Sequence, residues 1–342
     1  MKLIYKITLS TLVILLWAGY SNAQIVKKAQ VGFRFLENPV SAEAVGRGTT
    51  GIISTLNSNS IFWNPALLGL IESNVDVNLN YTKGIADINY NAAAASLKLG
   101  DFGVLGFSLL YMDYGTFYGT VRAPEGYRET GTFSPQAYSV GMAFSQKLTD
   151  RFSYGVHLKY FYQKLGDAVV ALKGTSLSDS NLVLGKKSYS SDGFNLPLAF
   201  DVGAYYDFQY NGIRFGASLQ NISKEYHYEA EDFPLPFAIN FGATVEPFGF
   251  FNFNNPDHKM VLSLESRHPR DFGEKLKVGA EYTYINSFIV RAGYMTNYDG
   301  RSFTFGAGVR QEISGVPFRV DYAYEPWEIF GGVHFITIGV SY

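Results

Sequence analysis

Val316-Pro317-Phe318-Arg319-Val320-Asp321-Tyr322-Ala323-Tyr324-Glu325 is the stretch that decides the fold. Val316, Phe318, Val320, Tyr322 and Tyr324 fall on one parity; Pro317, Arg319, Asp321, Ala323 and Glu325 fall on the other. A period of two puts each set on one side of a pleated strand. The stretch is about ten residues long, as a tilted strand crossing a bilayer must be, whereas strands of soluble sandwiches run nearer five or six. The pattern recurs in 213–220, where Ile213, Phe215, Ala217 and Leu219 oppose Arg214, Gly216, Ser218 and Gln220. It recurs again in 152–163, where Tyr154, Val156, Leu158 and Tyr160 oppose Gly155, His157, Lys159 and Phe161.

Working outward, such segments fall near 74–83, 87–99, 102–113, 135–148, 151–165, 194–209 and 211–221. They continue near 236–246, 258–268, 275–285, 287–297, 302–312, 315–325 and 332–342. That makes about fourteen, an even number, as single-chain bacterial barrels have. The connections sort by parity. Gly100-Asp101, Thr149-Asp150, Tyr210-Asn211, Asn286 and Ser314-Gly315 are tight, whereas 114–134, 166–193 and 222–235 are long and sit at the alternate junctions. Short periplasmic turns and long outer loops produce this sorting, and a soluble barrel has no reason for it. Only Pro247–Asp257 is long for its side. The expected fold is all-β: a transmembrane antiparallel up-and-down barrel.

Composition agrees. Aromatic residues are 16% of the chain, Gly numbers 35, and mean hydropathy is −0.01, as when an apolar outer face and a polar interior cancel. The net charge of −2 gives no reason to expect nucleic acid as a partner. Lys2 and Lys6 precede an apolar run from Ile7 to Trp17, and Ser21-Asn22-Ala23 offers small residues for cleavage before Gln24. The reading is a signal peptide over 1–23 and export to the bacterial outer membrane. The absence of cysteine excludes a lipoprotein anchor, disulfides and thiol chemistry.

Charges from 258 onward keep to one parity: Glu265, Arg267, Glu281, Arg291, Arg310, Glu312, Arg319 and Asp321. Facing lipid at mid-bilayer each would cost about 2–4 kcal/mol, so they belong inside. Interleaved signs imply ion pairs bracing a filled lumen, since ion selection calls for rings of one sign. Asp76, Asn78, Asn80, Asp201 and Asp207 follow the same logic. Residues 24–73 do not alternate. Pro39–Gly46 begins like a capped helix and ends at glycine, and Ser60–Gly69 is a compact apolar piece broken at Asn64-Pro65. The expected organisation is a plug over 24–73 and a barrel over 74–342.

The last strand places Ile336, Ile338, Val340 and Tyr342 on one face and ends on an aromatic, like the terminal signal that barrel-assembly machinery recognises. Several stretches together resemble the PorV/PorQ family: Ala42-Glu43-Ala44-Val45-Gly46, Phe62-Trp63-Asn64-Pro65-Ala66, Leu235-Pro236, Val278-Gly279-Ala280-Glu281-Tyr282, Arg291-Ala292-Gly293-Tyr294, Asp321-Tyr322-Ala323-Tyr324 and His334-Phe335. The Asn-Pro-Ala element is shared with FadL-like fatty-acid transporters, and Leu67 stands where the family usually has glycine. The resemblance implies a FadL-like fold with an N-terminal plug and Bacteroidota-like hosts. For its best-known members it also implies a role in type IX secretion, binding the C-terminal signal domains of secreted cargo.

Two functions follow. One is a protein-handling barrel whose Tyr-bearing loops (Tyr114, Tyr118, Tyr127, Tyr189, Tyr226, Tyr228) contact secreted cargo or secretion-system components. The other is a FadL-like conduit, gated near Phe62–Ala66, with a hydrophobic ligand or detergent in the lumen. Outer-membrane lipid is a partner on either reading. No catalytic residue, cofactor or metal is expected. His157, His227, His258, His268 and His334 form no HExxH arrangement, and His227 lies in an acidic loop with Glu225, Glu229, Glu231 and Asp232.

Overall fold

Alternation over nine to twelve residues builds most of the wall, because each such stretch has an apolar face to turn outward and a small or polar face to turn in. The computed structural model describes residues 30–123, 126–171, 184–191, 196–228, 231–251 and 255–342, so the expected signal peptide lies outside the described residues. The strands are β1 (Val75–Lys83), β2 (Asn89–Lys98), β3 (Val104–Asp113), β4 (Phe117–Ala123), β5 (Gly126–Phe133), β6 (Gln136–Lys147) and β7 (Phe152–Ala171). Then come β8 (Leu184–Ser190), β9 (Leu198–Asp207), β10 (Arg214–Ile222), β11 (Tyr226–Tyr228), β12 (Glu231–Phe233) and β13 (Ala238–Val245). The last are β14 (His258–Pro269), β15 (Lys275–Tyr284), β16 (Phe288–Met295), β17 (Phe303–Ile313), β18 (Val316–Trp327) and β19 (Gly331–Ser341).

Fourteen of these close an antiparallel ring in the order β1-β2-β3-β6-β7-β9-β10-β13-β14-β15-β16-β17-β18-β19, and β19 pairs back onto β1 with Ile336 opposite Tyr81. Closure removes the sheet edge that a terminal strand would otherwise expose. Leu79, Val290 and Val320 stand more than half exposed on the outer face, whereas Asp76, Asn78, Arg291 and Asp321 are buried on the inner one. Ser314 and Gly315 join β17 to β18 with φ of 53° and 81°, the two positive angles of a type I′ turn.

The long connections hold more structure than their sequence indicates. β4 pairs with β5, β7 runs 20 residues so that its outer half pairs with β8, and β11 pairs with β12. A hairpin standing clear of the wall is wet on both faces, so the alternation that marks wall strands is lost; β5 is exposed along nearly its whole length. The long short-side connection contains a single helical turn at Pro247–Phe250.

Residues 30–73 lie inside the ring. They form a 3₁₀ turn at Arg34–Glu37, the helix α1 (Ala42–Gly46), and 3₁₀ turns at Ser58–Phe62 and Pro65–Leu70. The wall makes room for them with glycines. A Cβ on Gly293 would overlap the Gly48 backbone, one on Gly279 the Arg47 carbonyl, and one on Gly203 the Asn64 side chain.

Candidate functional site

The segment Phe62-Trp63-Asn64-Pro65-Ala66 is held by polar contacts from three sides. Asn64 caps the turn at Pro65–Leu70, its Oδ1 accepting from Ala66 N at 3.1 Å, and Pro65 supplies a preset φ at the first position. Asn64 Nδ2 donates to Ile52 O at 2.9 Å and to Ala204 O on β9 at 3.1 Å. Ser145 and Ser153 donate to Ala66 O at 3.0 and 2.7 Å, and Gln220 Nε2 donates to the carbonyls of Phe62 and Trp63 at 3.0 and 2.9 Å. The Trp63 indole donates to Val40 O at 3.1 Å. Asn64, Ala66, Ser145, Ser153, Trp63 and Gln220 are buried, so each bond left unmade there would carry a desolvation cost of about 1–3 kcal/mol.

The wall charges meet the lumenal segment as much as each other. Arg291 Nε lies 2.6 Å from Glu281 on the adjacent strand β15, and its Nη1 reaches past β17 to Asp321 on β18 at 2.5 Å. Arg319 Nη2 is 2.5 Å from Asp76, across the seam where β19 and β1 close the ring. Glu281, however, also takes Arg47 of the segment at 2.5 Å, and Arg47 reaches Glu43 at 3.2 Å. Arg267 pairs with Glu37 at 2.8 Å and donates to Gln220 and Asn240. Glu265 accepts the Ile52 backbone N–H at 2.8 Å rather than pairing with Arg267 two residues on. Arg310 faces a cavity shared with Glu43, Glu281 and Glu312.

Two cavities lie at opposite ends of the segment. The short-turn cavity, ≈ 430 Å³, is polar, with Arg47, Arg214, Glu281, Arg310 and Arg319 in its wall. The long-loop cavity, ≈ 340 Å³, has a different character. Phe35, Ile85, Ile88, Tyr90, Met112 and Val333 give it apolar surface, Trp63 and Thr49 lie in its wall, and Arg267, Lys275, Lys277 and Arg301 add positive charge against Glu37 and Glu325. Tyr114 also lines it; burial pushes that phenol up from its ordinary value, against a weak hydrogen bond from Gln163.

A third, small group lies on β3, β7 and β9. Ser108 Oγ is 2.9 Å from His157 Nε2, and His157 Nδ1 is 3.0 Å from Asp201 Oδ2. The order matches a hydrolase relay. The adjoining space is only ≈ 30 Å³, room for about one water and for no acyl group. Asp201 is also shared with Lys159 at 2.7 Å. Among the described residues no group of three His, Cys, Asp or Glu could hold a metal.

Sequence parity assigned Glu265, Arg267, Glu281, Arg291, Arg310, Arg319 and Asp321 to the inner face; in the structure Glu265, Arg291 and Asp321 are buried, Arg267, Glu281, Arg291, Arg319 and Asp321 form ion pairs, and Arg310 lines the short-turn cavity. It passed over Glu37, Arg47, Lys275 and Trp327, whose neighbours come from distant connections. The one available signal for Arg47 was a charge beside glycines in an otherwise apolar segment. Of the acidic loop, Glu225 pairs with Arg270 at 3.1 Å, while Glu229 lies outside the described residues.

No family profile matches the chain, and no curated relative does. Solved structures match over nearly the whole length. The Ralstonia pickettii toluene transporter TbuX is 14% identical, covers 92% of this chain and 98% of its own, and superposes with a TM-score of 0.54. The Pseudomonas putida toluene transporter TodX is 11% identical, with 88% and 96% covered and a TM-score of 0.56. A Pseudomonas aeruginosa FadL homologue is 11% identical, with 89% and 98% covered and a TM-score of 0.56. At such identities the likeness establishes a FadL-like fold.

Proposed function

We propose that this chain is a bacterial outer-membrane barrel, exported behind a cleaved signal peptide, that takes up a small hydrophobic molecule at its long-loop end. Residues 30–73 act as the hatch. The observation that carries this reading is the long-loop cavity: concave, roofed by connections, apolar on one side and floored by the lumenal segment. The apolar outer wall suits lipid, and the neighbours of like fold include two named as toluene transporters. Because Phe62 to Ala66 is tied to β6, β7, β9 and β10, Ser60–Leu70 is assigned as the fixed base of the hatch, and the moving part to 30–56, which must give up its own wall contacts at Ala42, Arg47 and Gly48 to open. The test is uptake of toluene and of a medium-chain fatty acid by cells lacking their own hydrophobic-uptake barrels. Expression of this chain is expected to restore uptake of one of them; uptake equal to empty vector would overturn the reading.

A second reading, attachment or secretion in the manner of PorV/PorQ proteins, rests on the β4–β5 hairpin. It projects from the long-loop end with Tyr118 and Tyr127 79% and 68% exposed, as a protein-contact surface would. Capture from native membranes with and without residues 117–133 tests it. Loss of a secretion-system component on deletion supports it, and identical captures oppose it.

A further inference from the structure

Cations and rings alternate at the long-loop end, and all of them but Phe272 line the long-loop cavity. The Arg34 guanidinium lies 4.8 Å from the Phe272 ring, Lys275 Nζ lies 4.8 Å from Phe272 and 4.2 Å from Tyr298, and Arg301 lies 4.7 Å from Tyr298 and 4.8 Å from Trp327. Four separate stretches supply this ladder: the turn at Arg34–Glu37, 270–275, 298–301 and the end of β18. The charges in it are not balanced. Arg34 has Asp271 and Glu37, Arg267 has Glu37, and Arg301 has Glu325 at 2.9 Å. Lys275 has two ring faces and, among the described residues, no carboxylate within 4.0 Å. The Trp327 indole N–H, in the same wall, is buried without an acceptor.

We propose that this cavity binds a small aromatic carboxylate, a planar monoanion such as benzoate. The ligand's ring packs beside Tyr298 and Trp327 in the cavity wall, and the carboxylate completes the pairing of Lys275. A neutral hydrocarbon leaves that ammonium unpaired, and an aliphatic acid satisfies the charge without using the rings. A cation held over aromatic faces is attracted to them, yet it retains the capacity for a charge-assisted hydrogen bond. The inference rests on the uptake reading above and names its substrate class.

Titration of the purified full-length barrel in nanodiscs with benzoate, toluene and octanoate, read by calorimetry and Trp fluorescence, tests it. Benzoate is expected to bind more tightly than either of the others. Lys275→Met is expected to weaken benzoate at least tenfold and leave toluene unchanged. Tyr298→Leu is expected to weaken benzoate and leave octanoate unchanged, with both variants checked for heat-modifiable barrel mobility on gels. Equal benzoate affinity in wild type and Lys275→Met, or preference for octanoate, overturns the proposal while leaving hydrophobic uptake standing. Failure of all three probes to bind or to cross overturns both.

Discussion

Arg47 Nη1 lies 2.5 Å from Glu281 Oε2, and this contact joins the lumenal segment to the barrel wall at a point buried from solvent. Glu281 also holds Arg291, and Arg47 also holds Glu43, so one cation sits between two carboxylates that have other partners. Breaking a buried pair by removing one member costs about 3–5 kcal/mol, and the remaining partners lower that here to about 2–4 kcal/mol. Arg47→Met is therefore expected to lower the unfolding temperature and raise leak conductance in planar bilayers. Arg310→Met, in the open short-turn cavity, is expected to change neither by more than a small fraction of that effect.

Gly293 is where wall and segment come closest, with the Gly48 backbone occupying the space a Cβ would need. Both partners are backbone, so no side chain can swing aside. Gly293→Ala is expected to loosen residues 30–73, read as faster hydrogen exchange or protease cleavage in that stretch. Gly273→Ala, where a Cβ meets nothing within 4 Å, is the matched control and should fall within about 0.5 kcal/mol of wild type.

Asp201 accepts from His157 and pairs with Lys159, both buried. Asp201→Asn leaves the Lys159 ammonium without its carboxylate and is expected to destabilise the barrel by about 3–5 kcal/mol, measured by urea unfolding in detergent. Ser108, despite its place beside His157, is expected to resist labelling by a fluorophosphonate probe, because the neighbouring space admits a water only. Labelling of Ser108 would instead mark the relay as a working nucleophile.

The chain has no cysteine, so an introduced pair reports cleanly. Ala42 N donates to Thr337 Oγ1 at 2.9 Å, linking the start of α1 to β19. The double variant Ala42→Cys, Thr337→Cys is expected to lose solute uptake when oxidised and to recover it on reduction. Uptake that ignores the redox state would place the moving part elsewhere.

Ile336 faces outward between Tyr81 and Tyr322, 40% exposed. Ile336→Arg is expected to destabilise insertion into vesicles, by up to about 4 kcal/mol. Refolding yield into lipid measures it, and wild-type yield would argue against an apolar surround.

The wall was legible because its signal is local. Val316–Glu325 must place Tyr322 outward and Asp321 inward whatever its neighbours are, since successive side chains of a strand point to opposite faces. The alternating loop lengths follow from a chain that crosses and returns. The hairpins escaped notice because β5 is wet on both faces and carries no alternation.

What the sequence by itself determined, then, is the count of wall strands, their parity and the inward placement of Glu281, Arg291 and Asp321. Only the tertiary structure decided whom those charges meet. Arg47 finds Glu281 across 234 residues, Arg267 finds Glu37 across 230, and Lys275, Tyr298 and Arg301 become one wall because two connections return to the same rim. Strand parity is set by the bond geometry of adjacent residues, whereas these contacts depend on ring closure, which no local pattern encodes.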